Sequence, residues 1–285
     1  MEVSASSYEF DTVLQADSIE SHHAGLFACG TYSLRNDEAS GRRWREGRIH
    51  LVDLDAPVFG PVHSVSCGGV LDLKWGGDLL ASVESEAGFG LYRLEGLKLA
   101  EQLRGKLDRK IRSFCNQAPE SLINLSLDWI GNTQRLAMSH DDGSLSLWDV
   151  GEASMTNLEW WGAHDNEAWI VAAHKSEFSV LWSGADDGFL RGWDSRVGLG
   201  RRKNTFEVKG DAGVTSILQD VHDGHLWAVG GYDEELRLFD DRNPKTPVAK
   251  LSDLGGGVWR IKFGAQNMGF SFWFCADLFV ADGIR

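Results

Sequence analysis

The chain has 285 residues, of which 42% are hydrophobic and 25% charged, and its formal net charge is −14. This acidity argues against non-specific nucleic-acid binding, which depends on Lys and Arg neutralising phosphates. No apolar run approaches the roughly 20 residues of a membrane span, and Met1–Phe10 lacks the basic and apolar regions of a signal peptide. We therefore expect a soluble cytoplasmic protein with no nucleic-acid and no membrane partner.

The four cysteines, Cys29, Cys67, Cys115 and Cys275, are far apart in the chain and form no CxxC pair. This spacing predicts reduced thiols rather than disulfides or a zinc site. The sequence also contains no P-loop, no HExxH and no G-x-S-x-G element. We accordingly expect no cofactor and no metal.

The first third of the chain predicts two sheets of short strands with period-two alternation. Those strands lie at Ala16–Glu20, Leu26–Tyr32, Arg48–Leu54, Val70–Trp75, Leu79–Val83 and Gly90–Leu94. Residues Asn36–Gly47 carry several arginines around Trp44 and are predicted to form a charged loop. Residues Leu97–Arg112 are rich in Lys and Arg, and the pattern leaves helix and outer strand both open.

The middle of the chain repeats one pattern three times, at Asp141–Asp149, Ser183–Asp194 and Tyr232–Asp240. Each copy has an acidic turn, a short apolar strand and a closing aromatic-Asp pair, and the closing aspartates recur every 45 or 46 residues. That period with a terminal Trp-Asp is typical of four-stranded propeller blades. The predicted fold class is an all-β WD-repeat β-propeller with about five full blades plus an incomplete sixth.

The sixth blade begins at Gly257–Phe263 and then loses the pattern. We expect residues 1–263 to form the propeller domain and residues 264–285 to be an atypical C-terminal tail. A count of five full blades and an incomplete sixth favours truncation or alternative splicing as the origin of that tail. An open propeller would expose sheet edges, which is destabilising.

The fourth repeat predicts a buried polar network. His164 precedes the repeat, and an Asp in the turn can accept from its ring, whose other nitrogen reaches a Ser that accepts the indole N–H. His164, Ser183, Asp187 and Trp193 fit these roles, and Asp142 and Asp233 are the predicted equivalents of the turn Asp, each six residues before the aromatic.

Twelve tryptophans are many for this length, and the repeat requires only Trp148 and Trp193. The segment Ala163–Ile170 places His164, Glu167 and Trp169 where a repeat enters its inner strand, and Trp259 occupies the corresponding place in the sixth repeat. Aromatic rings and carboxylates together suit a quaternary ammonium through cation–π attraction. Core aromatics with surface acids are the alternative interpretation.

Several stretches resemble the WD-repeat diphthine methylesterases of eukaryotic diphthamide synthesis beyond the generic repeat. They are Ala16–Ser18, Leu26–Leu34, Leu71–Trp75, Leu125–Trp129, His164–Ile170, Ser183–Arg196, Gly231–Glu234 and Gly256–Lys262. AHxxEAWI followed by SGxDDGxLRGWDxR is the most specific part. The resemblance implies hydrolysis of the methyl ester of methylated diphthine on elongation factor 2, a substrate that also bears a trimethylammonium group.

Ester hydrolysis needs a base or nucleophile and donors for the developing oxyanion. His164 or Glu167 is the predicted activator of water, and Arg260 or backbone N–H groups would stabilise the oxyanion. Trp169 and Trp259 would hold the cation. If His164 belongs to the blade network, Glu167 becomes the better base.

The alternative function is a non-catalytic WD-repeat scaffold or a ubiquitin-ligase substrate receptor. Trp193–Arg196 and Phe239–Arg242 resemble the short WDxR element used for docking to a ligase adaptor. Methanol release and co-purification with such an adaptor distinguish the two functions.

Overall fold

The computed structural model describes residues 10–274 apart from 24, 39–40, 42, 108–121, 132–133, 198–203, 221–222 and 264–269. Over this part of the chain it contains 22 β-strands and one turn of 3-10 helix, Ser195–Val197. No helix among these residues is long and apolar enough to cross a membrane. The predicted all-β class is confirmed.

Most strands belong to four-stranded antiparallel sheets in which strands adjacent in the chain are neighbours. The first two sheets contain β1 (Gln15–His23), β2 (Leu26–Asn36), β3 (Arg43–Asp53) and β4 (Pro61–Gly68), then β5 (Val70–Gly76), β6 (Leu79–Glu84), β7 (Gly88–Glu95) and β8 (Lys98–Lys106). The third contains β9 (Asn124–Trp129), β10 (Arg135–His140), β11 (Ser144–Val150) and β12 (Met155–Gly162).

The fourth and fifth sheets repeat this order. They contain β13 (Ile170–Ala173), β14 (Val180–Gly184), β15 (Phe189–Asp194) and β16 (Asn204–Lys209), then β17 (Val214–Gln219), β18 (Leu226–Gly231), β19 (Leu236–Asp240) and β20 (Ala249–Leu251). A two-stranded sheet follows, formed by β21 (Val258–Phe263) and β22 (Phe270–Phe274). Five four-stranded sheets and a partial sixth, counted over the described residues, match the predicted blades.

The first strand of several sheets contains a β-bulge near its start. The register shifts between Val70 and Asp72 in β5, between Val214 and Ser216 in β17, and between Val258 and Arg260 in β21. A bulge inserts one unpaired residue and re-aims its side chain. In β17 and β21 that residue is Thr215 and Trp259, so the bulge bears directly on the orientation of a predicted site residue.

The chain divides into two compact units. One consists of Ala5–Met138 with Asp149–Thr156, and the described residues of the other lie in Ser139–Trp148 and from Asn157 onward. In the first unit, Asp72 accepts hydrogen bonds from Ser18 Oγ at 3.0 Å and Ser126 Oγ at 2.8 Å. These bonds join the first strands of three successive sheets, which fixes their relative register.

The same three strands are joined again by indole N–H groups. Trp75 donates to the Glu20 carbonyl at 3.2 Å, and Trp129 donates to the Lys74 carbonyl at 3.0 Å. Lys74 Nζ lies 2.5 Å from Glu20 Oε1 and 3.5 Å from Asp72 Oδ1. Burial acts to lower the pKa of Lys74, but the adjacent carboxylates of Asp72 and Glu20 raise it above its ordinary value. Trp75 and Trp129 therefore make the same contact one repeat apart.

The core of the second unit is aromatic. Trp182 and Trp227 stack with ring centroids 4.4 Å apart and planes 2° from parallel, and Phe206 meets Trp182 edge-on. Both tryptophans are at most 1% exposed. Part of the unexplained tryptophan content of the sequence is thus core packing.

Two sequence predictions need correction or completion. Residues 43–47 are not part of a loop: they belong to β3, which pairs with β2 out to Asn36 and Arg43. One ion pair crosses the hairpin there, between Arg35 Nη2 and Glu46 Oε1 at 2.5 Å. Of Leu97–Arg112, residues 98–106 form the outer strand β8, and 108–112 lie outside the described residues.

Candidate active site

The predicted blade residues meet in the fourth sheet. His164 Nδ1 lies 3.1 Å from both Asp187 carboxylate oxygens, and its Nε2 lies 2.7 Å from Ser183 Oγ. Trp193 donates its indole N–H to the same Ser183 oxygen at 2.8 Å. Ser183 is on β14 and Trp193 on β15, so the network fixes the pairing of these two strands.

Burial and hydrogen bonding favour an ionised Asp187 carboxylate and a neutral His164 ring in this network. Burial, opposed by the hydrogen bond to Asp187, lowers the pKa of His164 below its ordinary value. Burial acts to raise the pKa of Asp187, but hydrogen bonds from His164 and from the backbone N–H groups of Phe189 and Asp165 lower it to about 2. Arg191 forms an ion pair with the same carboxylate, with Nη1 3.3 Å from Asp187 Oδ2.

His164 has no solvent-exposed side-chain surface, and both of its ring nitrogens are engaged within the network. A general base needs a ring nitrogen that reaches the attacking water. Of the two roles that the sequence leaves open for His164, the geometry therefore favours the structural one, and Glu167 takes its place as the candidate base.

The two predicted equivalents of Asp187 each repeat one of its contacts. Asp142 accepts from the Ser144 N–H at 3.1 Å and from its hydroxyl at 2.5 Å. Asp233 pairs with Arg237 at 2.5 Å, in a repeat whose closing aromatic is Phe239 and has no indole donor. Asp187 makes the same two contacts, accepting from the Phe189 N–H at 3.0 Å and pairing with Arg191 at 3.3 Å.

An aromatic cluster forms around the two predicted cation-binding tryptophans. The ring centroids of Trp169 and Trp259 are 5.5 Å apart, and Tyr232 lies 6.4 Å from the first and 6.1 Å from the second. The ring planes are inclined to one another by 40 to 87°. We call Trp169, Tyr232 and Trp259 the aromatic trio.

The repeat explains why residues so far apart in sequence meet. Trp169 directly precedes β13, and Trp259 occupies the corresponding place in β21, two repeats later. Thr215 holds that place in the intervening repeat, where its small side chain is buried and its hydroxyl donates to the Val258 carbonyl at 2.5 Å. A small residue in the middle position leaves space in which the two indoles come together.

Tyr232 was not predicted as a site residue, although its position carries a signal. It directly precedes Asp233, the turn Asp of the fifth repeat, and the same place in the fourth repeat is Asp186. Asp186 also belongs to the site, because its Oδ1 accepts the Trp169 indole N–H at 3.3 Å. The residue before each turn Asp is therefore the position that sequence reasoning missed.

Glu167 and Arg260 lie beside the trio in the chain. Glu167 is two residues before Trp169, and its carbonyl accepts the Asp186 N–H at 2.9 Å. Arg260 follows Trp259 on β21. Both are partly buried. No cluster of His, Cys, Asp and Glu among the described residues could hold a metal ion.

The two WDxR-like elements have one geometry. Arg196 donates Nε and Nη2 to the carboxylate of Asp194 at 3.0 and 2.6 Å, and Arg242 makes the same pair of bonds to Asp240 at 2.8 and 2.5 Å. The hydrogen bond from Arg242 lowers the pKa of Asp240 to about 2. The two Arg side chains are 69% and 66% exposed.

A solved structure with a similar fold supports the fold class. Sqt1 from Chaetomium thermophilum superimposes with a TM-score of 0.63 over 91% of this chain and 66% of that one, at 13% identity. Together with the repeated four-stranded sheets, this likeness defines a WD-repeat β-propeller protein. No family model matches the chain.

Sequence comparison then gives the family. Diphthine methyltransferase of Schizosaccharomyces pombe is 31% identical over 83% of this chain and 68% of its own length. Diphthine methyltransferase of Homo sapiens is 34% identical over 89% of this chain, which spans 62% of the human protein. The chain belongs to the diphthine methyltransferase family. A shorter match, 26% identical over 46% of the chain, is to E3 ubiquitin-protein ligase COP1 of Arabidopsis thaliana.

Proposed function

We propose that this protein acts in diphthamide biosynthesis by hydrolysing the methyl ester of methylated diphthine on elongation factor 2. The observation that carries the proposal is the aromatic trio, in a chain that belongs to the diphthine methyltransferase family. The trimethylammonium group of that substrate suits aromatic faces through cation–π attraction. The acidic net charge of the chain favours a cationic ligand as well.

In the proposed reaction, Glu167 removes a proton from a water molecule while the oxygen of that water attacks the ester carbonyl carbon. Arg260 or backbone N–H groups stabilise the oxyanion of the tetrahedral intermediate. The bond from the carbonyl carbon to the methoxy oxygen then breaks, and the leaving oxygen takes the proton that Glu167 accepted, which gives methanol and restores the Glu167 carboxylate. The protein-bound product is a carboxylic acid, which ionises to the carboxylate in water. Trp169 and Trp259 hold the cation during these steps.

The role of Glu167 is tested by replacing it with Gln, which keeps its size and removes its basicity. We expect kcat for ester hydrolysis to fall by about 100-fold or more, because general base catalysis contributes that much. Methanol release from elongation factor 2 carrying methylated diphthine is the measurement. Asp165→Asn is the matched control, since Asp165 is an exposed carboxylate on the same segment. Equal rates for wild type and Glu167→Gln would remove Glu167 from the mechanism.

The relatives are named for methyl transfer, whereas the proposed reaction removes a methyl group. The two reactions require different reagents: hydrolysis consumes only water, and methylation consumes a methyl donor. Incubation of methylated substrate without any donor therefore distinguishes them. Methanol release under these conditions supports hydrolysis, and a donor-dependent gain of a methyl group contradicts it.

A second function, docking to a ubiquitin-ligase adaptor, is favoured by the paired Asp-Arg elements at Asp194–Arg196 and Asp240–Arg242. Each Asp holds its Arg by two hydrogen bonds while the guanidinium remains largely exposed. Co-purification with an adaptor that is lost in Arg196→Ala and Arg242→Ala would support it. An unchanged set of partners in these variants would dismiss it.

A further inference from the structure

The third ring of the aromatic trio is the most accessible. Tyr232 is 41% exposed, while Trp169 and Trp259 are partly buried. Its ring packs between two glycines: a Cβ at Gly213 would lie 3.1 Å from Cδ2, and one at Gly257 would lie 3.2 Å from Cδ1. Both distances are tighter than ordinary contacts. The absence of side chains at these positions therefore gives the Tyr232 ring its place beside the two tryptophans.

The fixed orientation of Trp169 has a separate cause. Its indole N–H is bonded to Asp186, whose backbone N–H is in turn held by the Glu167 carbonyl. The absence of a side chain at Gly213 also leaves room for Asp186, because a Cβ there would lie 2.8 Å from Asp186 Oδ1. Asp186 is thus a positioning residue that adds negative charge at the edge of the trio.

The geometry suits one kind of ligand. With centroids 5.5 to 6.4 Å apart, a cation seated over the three inclined rings can lie within about 6 Å of each centroid, the range of cation–π attraction. A protonated amine loses strong hydrogen bonds to water when it moves onto aromatic faces. A quaternary ammonium has no N–H groups, so its transfer costs less while the attraction remains.

We propose that the aromatic trio distinguishes methylation states of a cationic amine and selects the quaternary form, with Tyr232 as the residue that determines this specificity. The inference rests on the proposed function only in sharing its site. Selectivity for the ammonium group and hydrolysis of the ester are separate properties, and each is measured without the other.

Binding is tested by isothermal titration calorimetry with tetramethylammonium chloride, methylammonium chloride, choline chloride and a neutral carbon isostere of choline. We expect tetramethylammonium to bind about fivefold more tightly than methylammonium, a difference of about 1 kcal/mol. The neutral isostere, which has the same shape and no charge, is expected to bind more weakly than choline. Equal binding of all these probes would overturn the proposal.

Variants separate the rings from general electrostatic attraction. Tyr232→Ala and Trp169→Ala are expected to abolish the preference for tetramethylammonium, whereas Tyr232→Phe retains it because the ring face, not the hydroxyl, makes the contact. Trp227→Phe, a change at a buried stacked tryptophan of the core, is the control and keeps the preference. A preference that persists in Tyr232→Ala and disappears in Asp186→Asn would contradict the proposal. Thermal melts verify that each variant is folded.

The hydrolytic reaction provides an independent readout. With elongation factor 2 carrying methylated diphthine, Tyr232→Ala is expected to raise KM about fivefold while kcat stays within about twofold. Normal KM together with retained ammonium selectivity of Tyr232→Ala in the calorimeter would overturn the role of Tyr232 and leave the esterase proposal standing. If no hydrolysis occurs at all, the calorimetric selectivity still decides the inference.

Discussion

At the scale of single residues, the tryptophans of the second unit fall into groups with different energetic roles. Trp193 donates its indole N–H to Ser183, while the Trp227 indole nitrogen is buried and makes no hydrogen bond among the described residues. A buried donor without a partner costs stability, whereas a satisfied one contributes about 1 kcal/mol. Removing the N–H has opposite consequences at the two positions.

We predict that Trp193→Phe destabilises the protein by about 1 to 3 kcal/mol, because it leaves the buried Ser183 hydroxyl with one partner fewer. Trp227→Phe loses ring area but also removes an unsatisfied donor, so its cost is expected to be smaller. Urea unfolding of both variants measures the difference. A larger loss for Trp227→Phe would contradict this account of the blade network.

The Asp187 carboxylate makes stability depend on acid pH. Its pKa is about 2 in the folded protein against an ordinary value of 3.8. The unfolded chain therefore binds protons first as the pH falls, and the stabilisation present above about pH 4 is lost between pH 4 and 2. The lowered pKa of His164 acts in the same direction at higher pH, below its ordinary value of 6.5.

We predict that Asp187→Asn is less stable than wild type at pH 6 but loses less stability between pH 5 and 3, by about 1 kcal/mol. Denaturant midpoints across this pH range give the measurement. Asp165→Asn, which removes an exposed carboxylate beside His164, serves as the control and is expected to follow the wild-type curve. Parallel curves for wild type and Asp187→Asn would show that the network does not depress the pKa.

At the scale of the elements, three acidic turns occupy the same place in successive repeats. The residue after each turn Asp has a positive φ: 77° at Gly143, 74° at Gly188 and 59° at Glu234. The left-handed conformation costs a residue with a Cβ about 1 kcal/mol or more relative to glycine. Glu234 is exposed, so no packing compensates for this strain.

Glu234→Gly is accordingly predicted to stabilise the protein by about 1 kcal/mol, and the reverse type of change, Gly188→Ala, to destabilise it. Thermal or urea unfolding of the two variants checks the pair. Destabilisation by Glu234→Gly would indicate that the turn requires the Glu side chain.

The strands also show which parts of the fold could be predicted from the sequence. The period of 45 or 46 residues predicted the third to fifth sheets, because each contains its own turn and closing aromatic. The hairpin of β2 and β3 was misjudged at residues 43–47, since local charge density indicates a loop. The pairing that makes these residues a strand, such as Leu34 with Arg45, joins residues distant enough that no local pattern reports it.

The site was partly predictable for the same reason. Trp169 and Trp259 stand out as residues that the repeat does not need, whereas Tyr232 follows a strand end that looks like any other turn. Its membership of the trio depends on glycines in two other segments, Gly213 and Gly257. The role of His164 could not be fixed from sequence, because a network histidine and a catalytic one share the same neighbours until the geometry is known.

At the scale of the whole molecule, residues 264–285 were predicted to be an atypical tail. Within them, Phe270–Phe274 pairs with β21 along its length, from Val258 with Phe274 to Phe263 with Phe270. The strand that carries Trp259 and Arg260 therefore has a partner in this segment. Variants that disturb β22 are thus expected to affect the candidate site through β21 rather than by direct contact with substrate.

The measurement that tests the central claim most directly is hydrolysis of methylated diphthine on elongation factor 2 in heavy-oxygen water. Attack of water on the ester carbonyl puts one heavy oxygen into the carboxylate of the product and leaves the released methanol unlabelled. We expect this distribution, with no methyl donor added. Label in the methanol, or a reaction that proceeds only with a methyl donor, would contradict it.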